Sequence, residues 1–106
     1  MSNDLHVLVA FSVSPMGATD SVGDAVAACV AEIRASGLDN ETNAMVTNVE
    51  GPYDEVMALV RRCIERCAEV APRVSLTLKL DHRPGHEGAL HAKVARVEAA
   101  LASGEE

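Results

Sequence analysis

The chain has 106 residues, of which 48% are hydrophobic, and a formal net charge of −7. That length supports one domain over 1–106, the hydrophobic fraction excludes a disordered chain, and the acidic balance excludes a nucleic-acid partner, which needs clustered cations that release counterions. Met1 to Asp4 carry no basic region, and the apolar run that follows is far shorter than the ~20 residues of a membrane span, so the expectation is a cytoplasmic protein with no membrane partner that tolerates cationic ligands.

Phe11 and Tyr53 are the only aromatics, so the core must be built from Val, Leu, Ala, Ile and Met. Cys29, Cys63 and Cys67 lie within apolar helical patterns and are odd in number. They read as buried thiols and not as a disulfide framework.

Leu5 to Gly17 reads as a strand with two distinct faces. Leu5, Val7, Val9, Phe11 and Val13 form a core face; His6, Leu8, Ala10, Ser12 and Ser14 share the other, which passes from apolar to hydroxyl as Pro15 nears. Ser12 and Ser14 are expected beside whatever is bound. A helix capped by Thr19 or Asp20 is predicted to run to about Ser36 with Val22, Val26, Val30 and Ile33 as its stripe, and Gly37 to end it in a left-handed turn that lets Leu38 pack back.

Two short strands are predicted at about 40–44 and 46–50, with Thr47 and Val49 on one face, Asn48 and Glu50 on the other, and both faces covered. Pro52 then opens a second helix, about 53–69, with Asp54 and Glu55 in its positive first turn and a stripe of Val56, Val60, Cys63, Ile64 and Cys67. From Arg73 to Arg83 the sequence alternates strictly, Val74, Leu76, Leu78 and Leu80 against Ser75, Thr77, Lys79 and Asp81. A Pro-Gly loop follows, then a last helix at about 89–103 with Leu90, Val94, Val97 and Leu101 in register, and a tail that frays.

The order β, α, β, β, α, β, α predicts an α+β, ferredoxin-like fold with helices on one face of an antiparallel sheet plus a C-terminal helix. Its open face carries Leu8, Ala10, Ser12 and Ser14 beside Ser75, Thr77, Lys79 and Asp81. Half-apolar faces of this kind meet a partner, so a homo-oligomer with hydroxyl-lined clefts between subunits is expected.

Two catalytic readings are weak. His82, His86, Glu87 and His91 crowd one loop, but their spacing matches no compact zinc signature, so no metal site is expected. Asp81 and His82 point to opposite faces of a strand, and Ser12 and Ser14 have no base on the same strand end, so no enzyme is expected. Recognition remains: hydroxyls on Ser12, Ser14, Thr47, Ser75 and Thr77 donate and accept, while Glu50 and Asp81 can hold an amino group or a cation. An alternative is a regulatory or scaffolding module whose open sheet binds a protein partner.

Phe11-Ser12-Val13-Ser14-Pro15-Met16-Gly17, Ser36-Gly37-Leu38, Met45-Val46-Thr47 with Glu50-Gly51, Asp54-Glu55-Val56-Met57, and Arg73-Val74-Ser75 with Lys79-Leu80-Asp81-His82-Arg83 and Lys93-Val94 occur in that order. Together they resemble the thiamine-binding protein family of small ferredoxin-like proteins. The resemblance implies assembly into homodimers and homotetramers through the sheets. It also implies cytoplasmic binding of thiamine or hydroxymethylpyrimidine with no catalysis and no cofactor. It carries over Ser12, Thr47, Glu50, Lys79, Asp81 and Arg83 as motif residues. Val46 stands where the family shows a glycine, and His82 where an acidic residue is common. With no aromatic free to stack, a pyrimidine would lie between aliphatic groups such as Leu8 or Met45, and net charge would favour the thiazolium cation over thiamine diphosphate unless Lys79 or Arg83 compensates.

Overall fold

A computed structural model of the chain describes residues 5–17, 22–85 and 87–104. Its elements are β1 (His6–Met16), α1 (Val22–Ala35), β2 (Asp39–Thr42), β3 (Thr47–Pro52), α2 (Tyr53–Ala68), β4 (Arg73–Asp81) and α3 (Ala89–Ser103). The strands pair antiparallel in the order β2-β3-β1-β4. This is the ferredoxin-like α+β plan expected from the order of elements.

Alternation in β1 decides which face is core. Val7, Val9 and Phe11 are buried with Val49 of β3 beneath α1 and α2. Register sets Leu80, Leu78 and Leu76 of β4 opposite Val9, Phe11 and Val13, so the expected apolar set of β4 does face the helices. It is only partly covered: Leu78 and Val74 pack against the core, while Leu76 and Leu80 stay exposed, because β4 is an edge strand.

In α2 the buried residues are Val56, Leu59, Val60, Cys63 and Cys67. Each aliphatic among them is worth about 1.5–3 kcal/mol of burial. The stripe of α1 differs from expectation: Ala25, Cys29 and Ile33 are buried, Val30 is half-buried and Val26 is exposed. Small side chains win because α1 packs closely on α2, with Cys29 Sγ 3.6 Å from Cys67 Sγ and donating to the Cys63 carbonyl at 3.3 Å. The caps expected at Thr19 or Asp20 lie outside the described residues. Gly37 ends α1 at φ 79°, and Leu38 packs against the core.

The hairpin strands are offset from the predicted 40–44 and 46–50. Asn43 accepts hydrogen bonds from the Met45 and Val46 amides at 2.8 and 3.0 Å, an Asx turn that removes residues 43–46 from the ladder. α3 lies on the face opposite α1 and α2, where Leu90 is buried. The rest of its stripe is uncovered: Val94, Val97 and Leu101 are 58%, 56% and 66% exposed. No helix among the described residues is long and apolar enough to cross a membrane.

Candidate functional site

Thr47, Val49 and Gly51 of β3 pair with Phe11, Val9 and Val7 on the helix side. Period two therefore sends Glu50 to the other face, opposite Leu8. There Glu50 is only 4% exposed. Its carboxylate accepts hydrogen bonds from the Ala89 and Leu90 amides, both at 2.9 Å, and from His6 Nε2–H at 2.8 Å. α3 begins at Gly88 with no side-chain cap of its own, so Glu50, remote in sequence, satisfies its first free amides and meets the positive end of the helix. Burial alone would raise the Glu50 pKa, but the hydrogen bonds from Leu90, His6 and Ala89 outweigh it and hold the group below its ordinary value.

Beside this anchor, a cleft of about 280 Å3 opens between the sheet and α3. His6, Leu8 and Glu50 form its floor, with Asp81, Arg83 and Glu87 at the rim. Its far wall is a second stripe of α3, Ala89, Ala92, Lys93 and Arg96, spaced i, i+3, i+4, i+7. Two alanines near the helix start keep that wall thin, and the cations follow one turn on.

Of the residues expected at a site, the structure brings Glu50, Asp81 and Arg83 to this cleft. Ser12, Ser14, Thr77 and Lys79 share the same open face, Ser12 opposite Thr77 and Ala10 opposite Lys79. Thr77 lies four residues from Asp81, roughly 13 Å along the strand. Thr47 is on the helix side, buried, with its hydroxyl 3.2 Å from that of Thr42. It borders a separate hollow of about 160 Å3 with Ser12, Phe11, Val26 and Met45, so two of the expected hydroxyl residues, Ser12 and Thr47, do meet there. One hydroxyl-lined pocket holding all of these residues therefore does not form within a single chain.

Arg96 was not singled out by sequence, and His6, Glu87 and Lys93 entered only as a strand-face residue, a member of the rejected metal group and part of a family motif, not as cleft residues. The signal for Lys93 and Arg96 was present in the helical spacing of Ala89, Ala92, Lys93 and Arg96, but the apolar stripe beside it is the stronger pattern. The histidines near the loop serve separate contacts: His82 Nδ1–H donates to the His6 carbonyl at 2.6 Å, and His91 Nε2 meets Asp39 at 3.1 Å. That hydrogen bond, with the charge of Asp39, raises the His91 pKa. His86 lies outside the described residues, and no metal-holding group of His, Cys, Asp or Glu is found among those described.

The model of the thiamine-binding protein family matches residues 9–98. A UPF0045 protein of Mycobacterium bovis is 50% identical over 95 residues, covering 89% of this chain and 93% of its own length. A UPF0045 protein of Synechocystis is 36% identical over 95 residues, covering 89% of this chain and 78% of its own. Among solved structures, a domain of unknown function from Bacillus cereus superposes with a TM-score of 0.80 at 28% identity, over 91% of this chain and 93% of that one. A candidate thiamine biosynthesis/salvage protein of Thermotoga maritima shares the fold with a TM-score of 0.74 at 24% identity, over 87% of this chain and 98% of that one.

Proposed function

This chain belongs to the thiamine-binding protein family, and we propose that it is a non-enzymatic, cytoplasmic binder of thiamine or its hydroxymethylpyrimidine moiety, held in the cleft between the sheet and α3. The cleft carries the reading. Its volume of about 280 Å3 lies near the low end of the ~300–1,000 Å3 typical of small-molecule sites, which suits one heterocycle with the remainder of the ligand outside. Leu8 offers an aliphatic surface to a ring, and Asp81 and Glu87 offer carboxylates to an amino group or ring cation. Among the described residues the acid–base couple of the cleft, His6 with Glu50, is engaged in holding α3, which favours binding over proton transfer. Phe11 is buried in the core, so ring contacts are aliphatic.

Copies of the chain are proposed to associate. Three large apolar side chains on one stripe of α3 are more than half exposed, as at a surface that meets a partner. Val94, Val97 and Leu101 and the open sheet face are the surfaces for it. Ser12, Ser14, Thr77 and Lys79 lie on that face, and in an assembled pair they extend the wall of the cleft.

Calorimetry of refolded protein with thiamine, then with hydroxymethylpyrimidine, tests this. Saturable binding at about one ligand per subunit is expected. No heat with either compound, from protein that has regained its fold, would overturn it.

A further inference from the structure

The cleft gathers cations in an acidic chain. Three of the nine Lys and Arg residues, Arg83, Lys93 and Arg96, line this one cavity. Elsewhere the basic side chains of α2 are paired: Arg61 with Glu65, Arg62 with Glu32, and Arg66 with Glu32 and Glu69. Among the described residues none of the three cleft cations makes an ion pair. Opposing them are Asp81, Glu87 and Glu50, and the Glu50 oxygens already accept hydrogen bonds from two helix amides and His6. With histidine neutral, three carboxylates formally face three cations, so the cleft is balanced within a chain of net charge −7, and Glu50 is the carboxylate set back among its hydrogen-bond donors.

The arrangement is polarised. Lys93 and Arg96 sit on adjacent positions of one α3 face, across the cleft from Asp81 at the end of β4. A carboxylate on one side and two cations on the other suit a ligand that is cationic or amino-bearing at one end and strongly anionic at the other. The N-terminus of α3, the usual anion seat on a helix, is occupied by Glu50, so the anion must be met by side chains. Arginine offers a planar fork matched to phosphate oxygens, and lysine a mobile point charge.

Resting on the reading above, we infer that the cleft takes the phosphorylated form of its ligand, with the heterocycle towards Leu8 and Asp81 and the phosphoryl group between Arg83, Lys93 and Arg96. This reverses the preference for the bare thiazolium cation that net charge alone would give. Small heterocycles in which an alcohol has been phosphorylated are the substrate class implied.

Titration calorimetry with thiamine and thiamine monophosphate in parallel tests the inference, using the whole chain and its Lys93→Gln/Arg96→Gln variant. The monophosphate is expected to bind at least about tenfold more tightly at low salt, and that margin to shrink in about 0.5 M NaCl. In the variant the two ligands should bind within about threefold of one another. Both side chains are exposed, so the variant should fold, which circular dichroism checks. If thiamine binds and the monophosphate binds no better, the inference fails and the binding function stands. If neither binds, both fail.

Discussion

The carboxylate of Glu50 accepts a hydrogen bond from the Leu90 amide at 2.9 Å, joining β3 to the first turn of α3 across forty residues of sequence. The contact makes one wall of the cleft depend on one side chain. Replacing Glu50 by Ala is expected to cost roughly 1–3 kcal/mol, the penalty for leaving partly buried amides unpaired. Urea unfolding gives the total. Hydrogen exchange locates it, since protection at Ala89 and Leu90 should fall while that of α2 is retained. Unchanged exchange at Leu90 would refute the anchor.

The same residue predicts a pH dependence. A carboxylate whose folded pKa lies below its unfolded value stabilises the fold above that unfolded value, here 4.5, and the contribution fades as the pH falls through the folded pKa. Stability should therefore decline below about pH 4.5 in the wild type, and less steeply in Glu50→Gln. The His91 shift has the opposite sign. Its pKa is raised from an ordinary 6.5 by Asp39, so its contribution is complete below 6.5 and is lost as the pH rises past the folded value. Titration by nuclear magnetic resonance should show His91 returning towards 6.5 in Asp39→Asn.

Burial raises the Cys63 pKa to about 11. Cys29 is pushed up further, by burial first and then by its hydrogen bond to Cys67. Cys29 and Cys63 therefore stay as thiols at neutral pH, and none of the three sulfurs is exposed. Ellman's reagent should label almost nothing in native protein and three thiols per chain in denaturant. Fast native labelling would place the α1–α2 interface elsewhere.

At the cleft, Asp81→Asn removes one proposed partner of the ligand's amino or cationic end. A loss of one charge-assisted hydrogen bond, about 1.5–3 kcal/mol, corresponds to weakening of at least about tenfold. Asp81 is exposed, so thermal stability should move little. Equal affinity in the variant would shift the heterocycle away from the end of β4.

If copies meet through α3, charge placed on its bare stripe should separate them. Val94→Glu with Val97→Glu is expected to reduce the assembly to monomers in analytical ultracentrifugation without unfolding it, since both positions are exposed within one chain. A wild type that sediments as a monomer would rule the association out.

Much of this was legible in the residues. Strict alternation in β1 and β4 gave their faces, and Pro52, Gly37 and Ala89 lie where the helices begin or end. What local pattern misses is contact between distant elements. Valines look like the stripe of α1, yet the slimness of Ala25 and Cys29 decides how near α2 can come. Glu50 carries the period of β3, but nothing near it in sequence says that a helix forty residues on will need its oxygens. The cationic wall was hidden for a related reason: Lys93 and Arg96 look like solvated charges until α3 is laid over the sheet.

The position of β1 in the sheet carries a kinetic consequence. The earliest strand in chain order lies between β3 and β4, so its two edges are satisfied by segments that a ribosome delivers at very different times. Pairing with β3 can begin once residues near 52 are free, but the second edge waits for residues 73–81. Loop closure over such separations is slow. Until β4 arrives, the apolar strand presents an unpaired edge while synthesis continues, the interval in which such chains are most exposed to aggregation.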